Sequence, residues 1–254
     1  MNKKILSLVG LSTLGLSLMP AVAFADTLSP TLNSNAKVIF TEDDTQKSPL
    51  DPTTPANSDN TQNAISPIDT VTGDTPNAGT KGPLSLDFAS SFNFGSHDIS
   101  SVDKAYQALP QSYTQKDDSK ATDTTGPNFA QVTDVRSGAA KGWTLNVKMN
   151  DDFKAQDGTV LKGAIINIKN GTAVNGNGGT STISSVAPSI TLSTADSTVM
   201  GAKATEGYGT WLYTMGNKDT AGSSVTLTVP GASSKVADAY TTQLVWTLSD
   251  TAVQ

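Results

Sequence analysis

The tripeptide Trp-Thr-Leu occurs twice, and each copy sits in a run whose side chains alternate between apolar and polar. In the first run, Trp143, Leu145, Val147 and Met149 are separated by Thr144, Asn146 and Lys148. In the second, Tyr240, Thr242, Leu244, Trp246 and Leu248 share one parity. Successive side chains of a strand point to opposite faces, so this period of two specifies strands and places each tryptophan on the same face as its leucine. Only three tryptophans exist in the 254 residues, and two of them open this tripeptide.

The same texture runs from Leu84 onward. Leu84, Leu86 and Phe88 alternate, as do Phe92 and Phe94. Further apolar runs follow at Leu161 to Ile168, Ser189 to Leu192, Trp211 to Met215 and Val225 to Val229. They are rich in β-branched and aromatic residues and are bounded by Gly, Asn, Asp or Pro, the pattern of short strands joined by turns. Helical periodicity is scarce, with room for a turn or two at Ser101–Leu109 and Val199–Ala204. The fold class expected is mainly β: a single β-sandwich-like domain over residues 83–254. That length buries a core without disulfides, and the chain has no cysteine.

Two segments precede the expected domain. Residues 1–25 combine Lys3 and Lys4, an apolar stretch from Ile5 to Met19 and the small-residue pattern Ala23-Phe24-Ala25, which reads as a secretory signal peptide. Residues 26–82 read as a disordered tether rich in Pro, Thr and Asn, with Pro49, Pro52, Pro55, Pro67, Pro76 and Pro83 among small polar residues. Such composition buries too little apolar surface to offset chain entropy. One apolar interruption, Val38-Ile39-Phe40, is either an incidental patch or a strand that docks on a sheet edge.

Several other segments join the two Trp-Thr-Leu runs in an ordered set. These are Leu84 to Phe88 followed by Phe92-Asn93-Phe94-Gly95, then Asp134-Val135-Arg136 shortly before Gly142-Trp143, and Gly207-Tyr208-Gly209-Thr210-Trp211. With two W-x-L motifs about a hundred residues apart, the set resembles the WxL-domain cell-surface proteins of Gram-positive bacteria, over roughly residues 83–254. Ser137 stands where glycine commonly follows the arginine, and the tail after Asp250 lacks the usual proline. The resemblance implies an exported protein that attaches non-covalently to peptidoglycan. It also implies association with a membrane-anchored protein and a wall-anchored LPxTG protein of one surface complex. The alternative is an interaction subunit whose domain binds a protein partner rather than glycan.

The candidate wall-binding residues are aromatic, because flat rings stack on the apolar faces of sugars. They are Trp143 and Leu145, Trp246 and Leu248, and the pair Tyr208 and Trp211. Each can equally be core, with Trp143 the stronger core candidate and Trp246, on a terminal strand, nearer a surface. Arg136, the only arginine, suits a structural ion pair with Asp134.

Other chemistries lack their residues. One histidine, His97, makes no metal pair, and no Gly-x-Ser-x-Gly is present, so neither an enzyme (a wall-active hydrolase included) nor a metal or other cofactor is expected. Asn150-Asp151-Asp152 with Asp157-Gly158 does not match a calcium loop. The formal charge is −6, and loss of Lys3 and Lys4 with the leader takes it to −8. Acidic balance disfavours nucleic acid and anionic wall polymers as partners. No segment beyond the leader could insert into a membrane, and neither a lipid-attachment cysteine nor a sorting signal is read in the sequence. Localisation is therefore expected to be secreted, at the cell wall and surface.

Overall fold

In a computed structural model, the described residues are 31–57, 59, 61–116, 123–179 and 181–254. The expected signal peptide, residues 1–25, lies outside them. Residues 31–40 are exposed and carry no regular structure, Val38, Ile39 and Phe40 included. Residues 41–254 form one unit.

That unit is all β, as the alternating runs demand. Among the described residues, 15 strands divide among four antiparallel sheets rather than the two of a simple sandwich. The first sheet runs β1 (Ile65–Ile68), β4 (Gln111–Gln115), β5 (Thr124–Gly126). The second runs β10 (Ser185–Val186), β12 (Ser197–Ala202), β7 (Trp143–Met149), β15 (Leu244–Ser249). The third runs β11 (Ser189–Leu192), β8 (Ile165–Lys169), β14 (Val225–Val229), β3 (Lys104–Gln107). The fourth runs β2 (Leu84–Ala89), β6 (Asn128–Asp134), β13 (Gly209–Met215), β9 (Gly171–Asn175).

The fourth sheet is the central layer, because β6 and β13 are buried at every position. Their two parities feed two cores. Ala130, Val132, Trp211, Tyr213 and Met215 join the main core with the odd-numbered residues of β7. Phe129 and Leu212, on the opposite face, join a second core with Leu50, Ile65, Phe88 and Tyr113. A strand buried on both faces reads as continuous hydrophobicity tempered by Thr and Gln. Those polar members are satisfied internally: Thr133 Oγ1 bonds Thr210 Oγ1 at 3.0 Å and donates to Asp87 Oδ2 at 2.6 Å.

The second core corrects the expected tether. Residues 31–46 are exposed, but from Lys47 onward the chain enters the fold. Leu50 and Ile65 are each only 1% exposed, and β1 pairs with β4 through four residues. Proline is no obstacle here, since Pro49 and Pro55 need only their carbonyls, which accept from Ile65 N and Asn63 N. Gln131 of β6 ties this segment to the central sheet. It accepts from Leu50 N at 2.8 Å and donates to Ser48 O at 3.0 Å and to Asp87 Oδ2 at 2.9 Å. The two expected helical turns are also absent, residues 104–107 and 197–202 being β3 and β12. A bulge between Thr198 and Met200 breaks the alternation, so Val199 and Met200 are both buried.

Asp51 locks the same segment, accepting from Thr53 N and Oγ1, Thr54 N, Tyr113 Oη and Gln115 Nε2. Burial pushes its carboxyl up, but these donors together outweigh that and hold it below the usual value. A carboxylate depressed on folding stabilises the native state above its unfolded pKa, and that contribution is lost as pH falls through the folded value. The melting-temperature gap between the wild type and Asp51→Asn should therefore be largest at neutral pH and shrink as pH drops below the unfolded carboxylate range. A gap constant with pH contradicts this role. Limited proteolysis should leave a core that begins between residues 41 and 48, and a chain starting at Gly82 should melt well below the full one. A stable protected core beginning near Gly82 would overturn this account of the second core.

Candidate functional site

The motif residues gather at one end of β7. Arg136 donates from Nε and Nη2 to the two oxygens of Asp134, at 2.9 and 2.7 Å, and from Nη2 to the carbonyl of Gly142 at 2.7 Å. The Asp134 hydrogen bonds, opposed by desolvation, hold the guanidinium above its ordinary pKa. The fork thus fixes the turn that delivers Trp143 to the interior. Trp143 is fully buried, and its indole N–H donates to Gly207 O at 3.0 Å. Gly207 has φ +77°, and a Cβ there would collide with Ala202 and the Trp143 ring. The Asp-x-Arg turn, the first W-x-L and the Gly-x-Gly segment are therefore parts of one packed joint.

The two W-x-L strands are neighbours. β15 pairs antiparallel with β7, placing Trp246 opposite Val147 and Leu248 opposite Leu145. Directly opposed residues share a face, so both motifs turn towards the main core. Their depths differ, because β7 is interior and β15 is the edge of its sheet. Trp143 and Leu145 are fully buried and offer no atoms to a ligand, which corrects their candidacy as contact residues. Trp246 and Leu248 are partly buried. Trp211 is buried, its indole N–H pointing to Tyr208 O at 3.4 Å, while Tyr208 is exposed.

Trp246 lines a groove of about 570 Å³ between β15 and the segment before β2. Phe92, Phe94 and Phe153 share its lining, and Phe94 meets each of the other two edge-on with ring centroids 6.4 and 6.3 Å apart. Polar groups stand among the rings. Asn77 and Gln243 are among the lining residues, and their carboxamides take no partner among the described residues. The one carboxylate in the lining, Asp69, is spent internally on Val71 N, Thr72 N and Ser91 Oγ. Burial pushes that carboxyl up, and these donors together hold it below the usual value. Aromatic rings beside uncharged hydrogen-bonding groups suit a neutral, hydroxylated or amide-bearing ligand.

Tyr208 and Trp211 do not line this groove, nor does Leu248. Conversely, Phe153, Asn77 and Gln243 belong to it and carried no signal in the sequence. Phe92 and Phe94 showed only as an alternating pair. Among the described residues no cluster of His, Cys, Asp or Glu could hold a metal ion, and no helix is long and apolar enough to cross a membrane. His97 stacks on Tyr106 with ring centroids 4.0 Å apart, and one ring nitrogen lies 2.6 Å from Phe94 O.

Comparison with known families matches residues 27–252 to the WxL domain, described as surface cell wall-binding. No curated protein and no solved structure matches the chain.

The depths of the two tryptophans lead to unequal costs. Trp143→Ala removes a fully buried ring together with the donor to Gly207 and should cost about 3–5 kcal/mol. Trp246→Ala, at an edge already open to solvent, should cost about 1–2 kcal/mol. Urea melts of the two variants check this, and equal losses would contradict the assigned burial.

Proposed function

The chain belongs to the WxL domain family of surface cell wall-binding proteins, and from that premise we propose that it attaches non-covalently to peptidoglycan through the groove beside Trp246. The observation that carries this reading is the placement of the second W-x-L motif. Its tryptophan is held on the wall of an aromatic groove that Asn77 and Gln243 also line, while the first is consumed by the core. Stacking on rings and hydrogen bonding to amides fit the acetamido sugars of a wall glycan. The acidic charge of the chain disfavours capture by anionic wall polymers. In this reading the protein is secreted and displayed at the cell wall. Membrane-anchored and LPxTG-type proteins of the same surface are further partners within the proposal. No catalytic role is assigned, the matched family being described by wall binding.

A second reading, a protein partner, is favoured by one feature. β15 is an edge strand, and its outer side offers backbone groups that an added strand could pair.

Purified wild-type protein should sediment with protein-free peptidoglycan sacculi, and a chaotrope should strip it without wall digestion. Trp246→Ala should keep its circular dichroism spectrum and lose retention by about tenfold or more, the usual cost of truncating a tryptophan at the centre of an interface. Full retention by Trp246→Ala would move the wall contact away from this groove. Failure of the wild type to sediment would favour the protein-partner reading.

A further inference from the structure

A second groove, of about 510 Å³, adjoins the first. Residues 76–79 and Phe88 line both. Residues 76–79 form a ridge only one chain thick, and it lies directly on β2. Thr80 N donates to Leu86 O at 2.8 Å, and a Cβ at Gly79 would collide with the backbone of Asp87. Glycine is what lets the ridge lie so low.

The second groove differs from the first in charge. Its lining includes Lys47, Lys116 and Asp87 as the only charged residues. The Asp87 carboxylate is turned inward and engaged by Ser85 Oγ at 2.6 Å, Gln131 Nε2 at 2.9 Å and Thr133 Oγ1 at 2.6 Å. Lys47 pairs with Asp43 at 2.5 Å. Lys116 donates to the Ser48 hydroxyl at 2.6 Å, and among the described residues no carboxylate pairs with it. An ammonium beside a hydroxyl, with no carboxylate partner among the described residues, therefore stands at a pocket walled by Pro49, Pro67 and Ile65. That arrangement complements a short peptide ending in a carboxylate.

We propose that the two grooves are subsites of one cleft: the aromatic groove takes a glycan sugar, and the Lys116 groove takes the carboxylate of a peptide attached to that sugar. The inference rests on the wall-attachment reading and narrows it, since it names sugar and peptide together as the ligand. The geometry allows it. A ridge one chain thick spans about 5 Å, the spacing of neighbouring strands. Three or four extended residues reach roughly 10–14 Å, enough to cross it.

Titration calorimetry on the full chain with two defined probes tests the proposal. One probe is the N-acetylglucosaminyl–N-acetylmuramic acid disaccharide with its lactyl carboxyl amidated; the other is the same disaccharide bearing its tetrapeptide. The peptide-bearing probe should bind about fivefold tighter, as one ion pair at an exposed lysine provides at most. That advantage should shrink between about 50 and 500 mM salt, while binding of the amidated disaccharide stays level. Lys116→Gln should abolish the advantage and leave disaccharide affinity unchanged; Trp246→Ala should weaken both probes alike. Equal affinity for the two probes, or a Lys116→Gln loss shared equally by both, overturns this inference and leaves the wall-attachment reading standing. If neither probe binds and sacculi are not retained, both fall.

Discussion

The buried indole of Trp143 is the constraint around which the rest is arranged. A buried indole must give its N–H to something, and the carbonyl of Gly207 is placed to receive it. That contact is possible only because residue 207 has no side chain. The turn that feeds Trp143 inward is fixed in its own right, by the Arg136 fork on Asp134 and on the carbonyl of Gly142. Once β7 is set, β15 has one register that turns Leu248 and Trp246 to the core side, and a slip by one residue would expose both. The second tryptophan is thereby carried to the sheet edge, beside Phe92, Phe94 and Phe153.

Two copies of one motif thus do different work because one strand is interior and the other is an edge. The first W-x-L is a packing device. The second shares its face and pairs with it but keeps part of its ring accessible. The contact surface proposed above is thereby held on a sheet, an arrangement that loses little conformational entropy on binding.

The strands were legible because alternation is a direct imprint of one-sided burial. β7, β14 and β15 were visible in this way. The segment before residue 83 was not legible, because its contribution depends on few residues. Leu50 and Ile65 are isolated among prolines and threonines, and their burial depends on partners far away in sequence, Gln131 and Tyr113. Composition averages over a segment, whereas a fold can rest on two side chains and a buried amide. Burial of adjacent residues at the β12 bulge likewise imitated a helical turn. The groove was hidden for a different reason. Phe153, Gln243 and Asn77 belong to three loops whose meeting depends on the pairing of β15 with β7, and periodicity within a run says nothing of which runs meet.

Charge narrows the chemistry further. The chain is acidic, yet the aromatic groove presents no unpaired carboxylate among its described lining residues, so the proposed sugar ligand would meet no desolvated charge there. The most direct test uses the tryptophans themselves. Trp143 and Trp211 are buried, so collisional quenching of wild-type fluorescence by acrylamide reports on Trp246. Addition of soluble peptidoglycan fragments should protect the quenchable fraction and shift its emission to the blue, as the groove fills. Fragments that bind and leave that fraction as accessible as before would contradict the account.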